Sequence, residues 1–402
     1  MKASERLYYS QSSLFEVEAN VISCERSEDG FDVVLDRTVF APEGGGQPSD
    51  EGSIDGYKVI KATDCVDYIV YSIDTEIVVG TRVRMSIDHN RRLDHCRQHT
   101  GEHIVSGLAC ALFGAKNVGF HMSDDYMTLD FDMPLDSKQL RLLEDKANEA
   151  VWADIPVTST IVSAEELESM ELRKKSDGLK GELRIITIDS VDSCTCCGTH
   201  VESTAKVGII RIVDSMNHRG GTRLWVLCAG RALDDYRLKH NALIAVAKGF
   251  STSWENVPGC VDELKRELST QRYENKLTAN RLCSYIASEL LSAASVHKGV
   301  KLVCYAEDGS DMAKLKLLGE ELCRRERCVC ALIGRRDEAV NYQFIRSDDV
   351  KQSMRDLIQA ANMIFSGKGG GRDDRAQGSA KYSESWKETA GQLFDYIKRV
   401  MG

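Results

Sequence analysis

Residues 91–114 read RRLDHCRQHTGEHIVSGLACALFG. Their apolar positions recur at helical spacing, and the stretch ends on Gly114, a residue type that often caps a helix C-terminus. The pattern predicts one helix. Within it His99 and His103 are four positions apart, so both imidazoles would project from one face and could bind one ion. Alone the pair is weak evidence for a metal, because histidines at this spacing often lie on a solvated helix face.

A second candidate pair lies in the segment CTCCGTH, which ends at His200. Cys196 and His200 repeat the four-residue spacing, and we expect Gly198 to let the chain turn between them. Cysteine and histidine together suit zinc. Cys194, Cys196 and Cys197 could each supply the sulphur, so the pattern leaves that ligand open. The two pairs together predict a single tetrahedral zinc site.

The flanking patterns predict an α+β protein with several domains. Short alternating runs such as FDVVLD and TRVRMSI, separated by turn residues, indicate a small N-terminal β-barrel over residues 1–90. Mixed strand and helix patterns over residues 91–235 indicate an α/β domain that contains the zinc site. Residues 236–298 read as a helical linker or dimerising arm, with a long helix or helix pair over 254–296, and residues 299–402 as a C-terminal α/β domain.

The amino-acid composition limits the classes of protein to which this chain could belong. The chain has 402 residues, 42% hydrophobic and 28% charged, which is typical of a folded protein. No signal peptide or membrane-spanning run is visible, so we expect a cytoplasmic protein that keeps most of its 14 cysteines as thiols. The net charge of −10 argues against indiscriminate binding to a polyanion, and any nucleic acid must meet local basic patches.

Three glycine-rich segments could contact a substrate. In EGGGQP, residues 43–48, glycine would allow a close backbone approach, although an ordinary loop between strands is the plainer interpretation. NHRGGTR, residues 217–223, could contact phosphate or simply form a hairpin turn. In GKGGGR, residues 367–372, two cations flank three glycines whose exposed amides could hold a phosphate. Asp373 and Asp374 follow directly and would weaken that field.

Four motifs together resemble one family. They are LDRTVFAPEGGGQPSDEG at 35–52, the HTGEH pair, CCGTHVESTAKVG at 196–208 and GKGGGRDDRAQGS at 367–379. In these motifs the chain resembles the alanyl-tRNA editing proteins of the AlaX type. The motifs also resemble the editing and C-terminal domains of alanyl-tRNA synthetase. The last motif makes the chain similar to the long AlaX form.

The resemblance implies a function and a set of site residues. The family hydrolyses the ester that joins a wrong amino acid, serine or glycine, to tRNA(Ala). It implies His99, His103, Cys196 and His200 as the zinc ligands. The resemblance and the glycine composition give candidate substrate contacts at Thr38, Gly44, Gly45, Gly46 and Gln47. The candidate tRNA contacts are Arg219, Arg223, Lys368, Gly369, Gly370, Gly371 and Arg372. The C-terminal domain would be of the DHHA1 type, associated with tRNA docking and a homodimer.

Two departures from the family pattern stand out. Gly101 occupies a position where a small residue such as alanine is usual, which should weaken the helix slightly. Cys197 replaces a glycine and would put a second thiol beside the metal. Two other functions stay open: a catalytically silent tRNA-binding module with purely structural zinc, and a deacylase for another aminoacyl-tRNA. Four protein ligands would close a tetrahedral site, so the metal could activate water or only position the substrate.

Overall fold

The structure is a computed structural model that describes residues 4–28, 30–170, 172–174 and 183–401. The chain divides into two compact units, residues 1–246 and residues 247–402. Both units combine helices with β-sheets, so the expected mixed architecture with more than one domain is confirmed. The finer division into four domains stays a prediction.

The described residues of the first unit begin with nine strands and one short 3-10 helix, Leu7–Tyr9. The strands are β1 (Glu5–Arg6), β2 (Glu16–Ser27), β3 (Gly30–Leu35), β4 (Arg37–Thr38), β5 (Gly52–Ile54), β6 (Tyr57–Lys58), β7 (Lys61–Asp64), β8 (Ile69–Ile73) and β9 (Arg82–Ile87). Seven of them form a sheet in the order β6-β5-β9-β2-β3-β8-β7. Buried residues alternate along β8 and β9, as expected for strands with one face on a core. The outer strands are β6 and β7, and closure into a barrel stays a prediction.

Helix α1 (His89–Phe113) follows this sheet and confirms the helix expected over 91–114. Asp88 caps its start by accepting a hydrogen bond of 2.9 Å from the amide of Arg91. Gly114 ends it in the left-handed conformation, with φ of 73°. Residues 98–107 are all buried. Polar side chains on a stretch of helix that is covered on every side usually have partners inside the protein, so we expect such partners at His99 and His103.

The remaining elements of the first unit surround α1. They are β10 (Asn117–Met122), β11 (Met127–Phe131), α2 (Ser137–Trp152), β12 (Val157–Val162), α3 (Ala164–Ser169), β13 (Leu183–Ile188), β14 (Asp192–Thr195), β15 (Ile210–His218) and β16 (Gly221–Cys228). Two sheets form, β10-β11-β16-β15 and β12-β13-β14. One hydrophobic core joins α1, α2 and the four-stranded sheet. Strand β14 contacts α1 and leads the chain directly into residues 196–200.

Helix α4 (Ala229–Gly249) crosses the boundary between the units, and α5 (Val257–Ala293) is the long helix expected over 254–296. The second unit continues with β17 (Ser295–His297), β18 (Val300–Asp308), α6 (Met312–Arg325), β19 (Cys328–Arg336), β20 (Ala339–Arg346), α7 (Met354–Ile364), β21 (Lys368–Gly371), β22 (Arg375–Lys381) and α8 (Trp386–Met401). The six strands of its sheet run in the order β17-β18-β19-β20-β22-β21.

The second unit has three layers. Val329, Ala331 and Ile333 of β19 share a core with α7 and α8. The alternate residues of the same strand, Cys328 and Cys330 among them, share another core with α5 and α6. Because successive side chains of a strand point to opposite faces, the sheet is covered by helices on both sides.

Among the described ranges, no helix has both the length and the apolar character that crossing a bilayer requires.

Candidate metal centre

Two distant segments of the first unit bring four ligand side chains together. The Sγ atom of Cys196 lies 3.5 Å from His99 Nε2 and 3.3 Å from His200 Nε2. His103 completes the group. One ligand atom from each of the four residues lies within 4.8 Å of the ligand atoms of the other three. His103 and His200 stack edge to face, with ring centroids 4.6 Å apart. The residues that the sequence singled out therefore form a compact group that can hold a metal ion.

The three candidate cysteines occupy different places. Only the sulphur of Cys196 belongs to the group with the three histidines. Cys194 lies on the other side of His103, with its Sγ 3.6 Å from Nδ1. Cys197 points toward the glycine loop, where its Sγ is 3.2 Å from the place that a Cβ on Gly45 would occupy. This geometry agrees with the ligand set implied by the family resemblance.

Each of the three imidazoles is oriented through its Nδ1 atom. His99 Nδ1 donates to Gln47 Oε1 at 2.8 Å, and His103 Nδ1 lies 2.9 Å from Asp192 Oδ2. His200 Nδ1 lies 3.2 Å from Thr100 Oγ1. The Nε2 atoms of His99 and His200 then face Cys196 Sγ, and Nε2 of His103 lies 3.7 Å from Glu102 Oε2. A second partner at Nδ1 is usual for metal-binding histidines.

Asp192 connects His103 to a buried guanidinium. Its carboxylate accepts from Arg173 Nε at 2.5 Å and Nη2 at 3.0 Å. Burial alone would raise the pKa of Asp192, but the hydrogen bonds from His103 and Arg173 outweigh it and lower the pKa to about 2. Asp192 is thus a carboxylate at any physiological pH. No sequence pattern indicated this role, because Asp192 and Arg173 lie outside every motif.

Charge within the group favours metal binding. Burial would raise the pKa of Cys196, but the surrounding histidines outweigh it and hold that pKa well below its ordinary value. Burial would likewise lower the pKa of His103, yet the sulphurs of Cys194 and Cys196 and the carboxylate of Asp192 raise it well above the ordinary value. His103 must give up this proton to act as a ligand, so metal binding here is coupled to pH.

Gly198 is required for a reason other than the one we expected. A Cβ at this position would lie 2.1 Å from His99 Cε1 and 2.2 Å from His99 Nδ1. The residue does not have positive φ, so a turn that only glycine can make is not the explanation. Gly198 is needed because the backbone passes directly against the imidazole of His99.

The glycine loop forms a tight turn beside this group. Gly44 and Gln47 exchange two backbone hydrogen bonds of 3.0 Å each, and Gly45 and Gly46 have φ of 59° and 83°. The amides of Gly44 and Gln47 are used within the turn, so those of Gly45 and Gly46 are the better candidates for substrate contact. The side chain of Gln47, predicted to touch the substrate, is buried against His99 and Thr199.

Thr38 lies on β4, which pairs with β1 in a separate two-stranded sheet. It is 0% exposed, and its Oγ1 is 2.6 Å from the hydroxyl of Tyr71. The same oxygen accepts from the amide of Phe40 at 2.9 Å. The structure therefore gives this hydroxyl partners within the core, and its contact with a substrate stays a prediction.

Two buried arginines hold the site together. Arg184 Nη1 donates to Gly198 O at 2.5 Å, and its guanidinium lies over the ring of Tyr9 at 4.7 Å. Arg92, which sequence reasoning passed over, is 0% exposed and pairs with Asp50. Arg92 also donates to Val39 O at 2.5 Å. These contacts join α1 and the loop at 196–200 to Tyr9, Val39 and Asp50, which lie between the strands of the N-terminal region.

The candidate tRNA contacts of the first unit form a hairpin turn. His218 pairs with Gly221, so Arg219 and a glycine are the two turn residues between β15 and β16. Arg223 makes two hydrogen bonds to the carboxylate of Asp130, at 2.6 and 2.7 Å. Asp130 therefore neutralises much of that charge, and phosphate contact by Arg219 and Arg223 stays a prediction.

The candidate tRNA contacts of the second unit lie on an edge strand. Strand β21 consists of Lys368, Gly369, Gly370 and Gly371. It pairs with β22 on one side only. A Cβ at Gly369 or Gly371 would lie within 2.5 Å of backbone atoms of β22, so close strand pairing alone explains those two glycines. Asp374, expected to weaken the field, is paired with Arg375 at 3.1 Å. Arg372 is exposed at the turn.

Comparison with known proteins agrees with the family resemblance. Residues 183–224 match the family model described as Threonyl and Alanyl tRNA synthetase second additional domain. The chain is 26% identical over 429 residues to alanyl-tRNA editing protein Aarsd1 of Bos taurus, covering 95% of this chain and 96% of the relative. It is 28% identical over 391 residues to alanyl-tRNA editing protein AlaX-L of Pyrococcus horikoshii, covering 93% and 94%.

A solved structure, the C-Ala domain of Aquifex aeolicus alanyl-tRNA synthetase, is 23% identical and covers 25% of this chain and 95% of that domain. Its TM-score of 0.23 is too low to support an argument about the fold. The similarity to alanyl-tRNA editing proteins, predicted from four motifs, is confirmed along nearly the whole chain by the two relatives.

Proposed function

We propose that this chain hydrolyses the ester between a wrongly attached serine or glycine and tRNA(Ala), with a zinc ion held by His99, His103, Cys196 and His200. One observation carries the proposal: these four side chains converge on a single point. Two of them lie in the stretch that matches the family model of threonyl- and alanyl-tRNA synthetases. The named relatives are alanyl-tRNA editing proteins, which makes the same reaction class the natural assignment here.

The donor set fits zinc. Three imidazole nitrogens and one thiolate are ligands that zinc accepts in tetrahedral geometry. With typical bond lengths, a sulphur and a nitrogen on one tetrahedral zinc lie about 3.6 Å apart. The distances from Cys196 Sγ to the two nearest Nε2 atoms, 3.3 and 3.5 Å, are close to that value. Each of the three histidines also contacts another side chain through Nδ1, and metal-binding histidines usually have such a partner.

The chain's own residues would prepare the aminoacyl end for attack by water. Gln47, Thr100 and Asp192 hold the three imidazoles in place. The amides of Gly45 and Gly46 would donate to the carbonyl oxygen as negative charge develops on it. Zinc bound at this site would supply either Lewis acidity toward that carbonyl or a fixed point for the aminoacyl group.

To discriminate serine from alanine, the pocket needs a polar group that contacts the serine hydroxyl. A pocket that accepts serine yet spares alanine cannot rely on size alone. We keep Thr38, Gly44, Gly45, Gly46 and Gln47 as the proposed substrate contacts. Replacement of Thr38 by valine should selectively slow the cleavage of serine esters if its hydroxyl is the sensor.

The second unit would bind the tRNA and a second copy of the chain. Lys368 and Arg372 are exposed at an edge hairpin, where a polynucleotide backbone could reach them. Helix α5 exposes large apolar side chains at Leu264, Leu268 and Tyr285, which a dimer partner would cover. A homodimer in the cytoplasm is therefore part of the proposal.

A silent tRNA-binding module is the competing function. It is favoured by the number of protein ligands, because four of them complete a tetrahedral shell in the manner of structural zinc. Under that alternative the protein would bind tRNA and leave the ester intact.

Deacylation of a panel of aminoacyl-tRNAs tests the proposal. Purified protein would be incubated with serine, glycine and alanine esters of tRNA(Ala), and with serine on its own tRNA, with and without a chelator. We expect rapid loss of serine or glycine from tRNA(Ala), little loss of alanine, and inhibition after metal removal. Binding of all tRNAs without ester cleavage would establish the silent module, whereas preferred cleavage of a different tRNA would change the substrate.

A further inference from the structure

Three cysteine sulphurs meet in the second unit, in sequence well removed from the candidate metal centre. Cys328 and Cys330 are two positions apart on β19 and so face the same side of the sheet. Cys323 comes from the last turn of α6. Cys328 Sγ lies 3.7 Å from Cys323 Sγ and 3.5 Å from Cys330 Sγ, and all three sulphurs lie within 4.8 Å of one another.

We propose that this three-cysteine cluster is a second metal site, one that takes a thiophilic ion, Cu(I) or Zn²⁺. Thiolates at a typical zinc–sulphur distance of about 2.3 Å lie about 3.8 Å apart around a tetrahedral ion. The two measured separations fall within a few tenths of an ångström of that value, whereas a disulfide needs about 2.05 Å. A donor set made only of sulphur selects Cu(I) and zinc over harder ions.

The surroundings allow an ion to enter and hold the ligands in place. Cys328 and Cys330 are 0% exposed, but Cys323 is partly exposed and marks the side open to solvent. The amide of Cys328 donates to Ser347 Oγ at 3.1 Å, and that oxygen donates to Glu326 O at 3.1 Å. Two of the three ligands are thus on a rigid strand, and the third is on the helix that packs against it.

An ion here would join α6 to the strand that follows it. The connection between β18 and β19 runs through α6, and these two strands are parallel neighbours. A bond from Cys323 to an ion on β19 would tie the end of this crossover to the sheet. The same sulphurs could instead fill the core as small apolar groups, which requires no ion. Metal content distinguishes the two.

The test is the metal stoichiometry of the full chain. Metal-free protein, kept reduced, would be titrated with Zn²⁺ and, in a separate series, with Cu(I), and the bound ion measured after desalting. Cys328→Ser and Cys323→Ser should each bind one ion fewer per chain than wild type with at least one of the two metals. Cys283→Ala is the matched control, because Cys283 is buried in the same core but outside the cluster. It should bind as many ions as wild type.

Cys196→Ser separates this site from the editing site, because it should lose a different ion and leave the one at Cys328 in place. Thermal unfolding followed by circular dichroism checks that each variant is folded. The milder Cys323→Ser variant should also lose the stabilisation by added metal that wild type shows. Equal stoichiometry in wild type, Cys328→Ser and Cys323→Ser with both metals would overturn the proposal, whatever the outcome at Cys196.

Discussion

Gly198 illustrates how a single absent side chain shapes the site. The Cβ of an alanine there would overlap the imidazole of His99 at Cε1 and Nδ1, and Nδ1 is the same nitrogen that Gln47 holds. We predict that Gly198→Ala displaces His99 and lowers metal affinity and deacylation by at least about tenfold, the scale seen when ligand orientation is lost. Metal content and the rate of ester cleavage measure both effects.

Gly230→Ala is the matched control for this substitution, since a Cβ at Gly230 meets no atom within 4 Å. It should leave both quantities unchanged. Normal metal content and rate in Gly198→Ala would mean that His99 is not a ligand.

We predict that His95 makes the folded state of the protein less stable as the pH decreases. Its ring is buried without a hydrogen-bond partner among the described residues, in the field of Asp50, Arg91, Asp94 and Arg231. Burial first, and then Arg91, lowers the pKa of His95 to about 4. Between that value and the unfolded pKa of about 6.5, the unfolded chain takes up a proton that the folded chain does not, so stability falls as pH decreases.

The expected loss from pH 7 to pH 5 is about 2 kcal/mol for this residue alone. His95→Leu should remove that part of the pH dependence while leaving the rest. Chemical unfolding of both proteins at the two pH values measures it. An identical pH dependence in the two proteins would show that His95 is not held neutral in the folded state.

The grouping of the candidate ligands could be predicted from sequence, but most of the side chains that support them could not. Spacing pointed to His99, His103 and His200, and the family motifs selected Cys196 among three cysteines. The structure brings these four together. Their orienting partners depend on which distant chain segments touch. Gly101 shows the same limit: we expected only a slightly weaker helix, but a Cβ there would lie 2.3 Å from Cys228 Sγ. Glycine is needed at position 101 because of this packing contact, which no local sequence pattern reveals.

At the scale of elements, periodicity identified α1, α5 and the main strands, because these have clear apolar patterns, and α1 also ends at a glycine cap. The glycine cluster after Gly367 was harder to interpret. We expected exposed amides suited to phosphate, and the structure instead pairs one side of this segment with β22. Gly-rich sequence is compatible with an open loop and with closely paired strands alike, so only the pairing partner decides between them.

The β21–β22 hairpin gives a prediction for tRNA binding. Lys368→Ala and Arg372→Ala should each weaken binding of tRNA(Ala), because each removes an exposed cation from this edge. If each contacts one phosphate, the slope of log affinity against log salt should fall by about 0.7 to 0.9 per substitution. Fluorescence-based titrations at several salt concentrations give that slope.

Lys381→Ala is the matched control for Arg372→Ala, because Lys381 is also exposed but lies at the opposite end of β22, and it should keep the wild-type slope. A loss of affinity in Arg372→Ala with an unchanged salt slope would argue against a phosphate contact.

At the scale of the whole molecule, the chain combines a unit that carries the candidate metal centre with a unit that carries the edge hairpin. The two relatives named above match it over more than nine-tenths of its length, so both units have counterparts in alanyl-tRNA editing proteins. This organisation suits a hydrolase whose substrate is a large nucleic acid with a small reactive end. The first unit would cleave the ester while the second holds the rest of the tRNA.

The most direct test of this account measures zinc content and serine release from Ser-tRNA(Ala) on the same preparations of wild type, His103→Ala and Cys196→Ala. His240→Ala, an exposed histidine on α4, is the control. We predict rapid serine release in wild type and control. The two ligand variants should lose that release and about one equivalent of zinc per chain. Full zinc content and full turnover in His103→Ala would contradict the central claim.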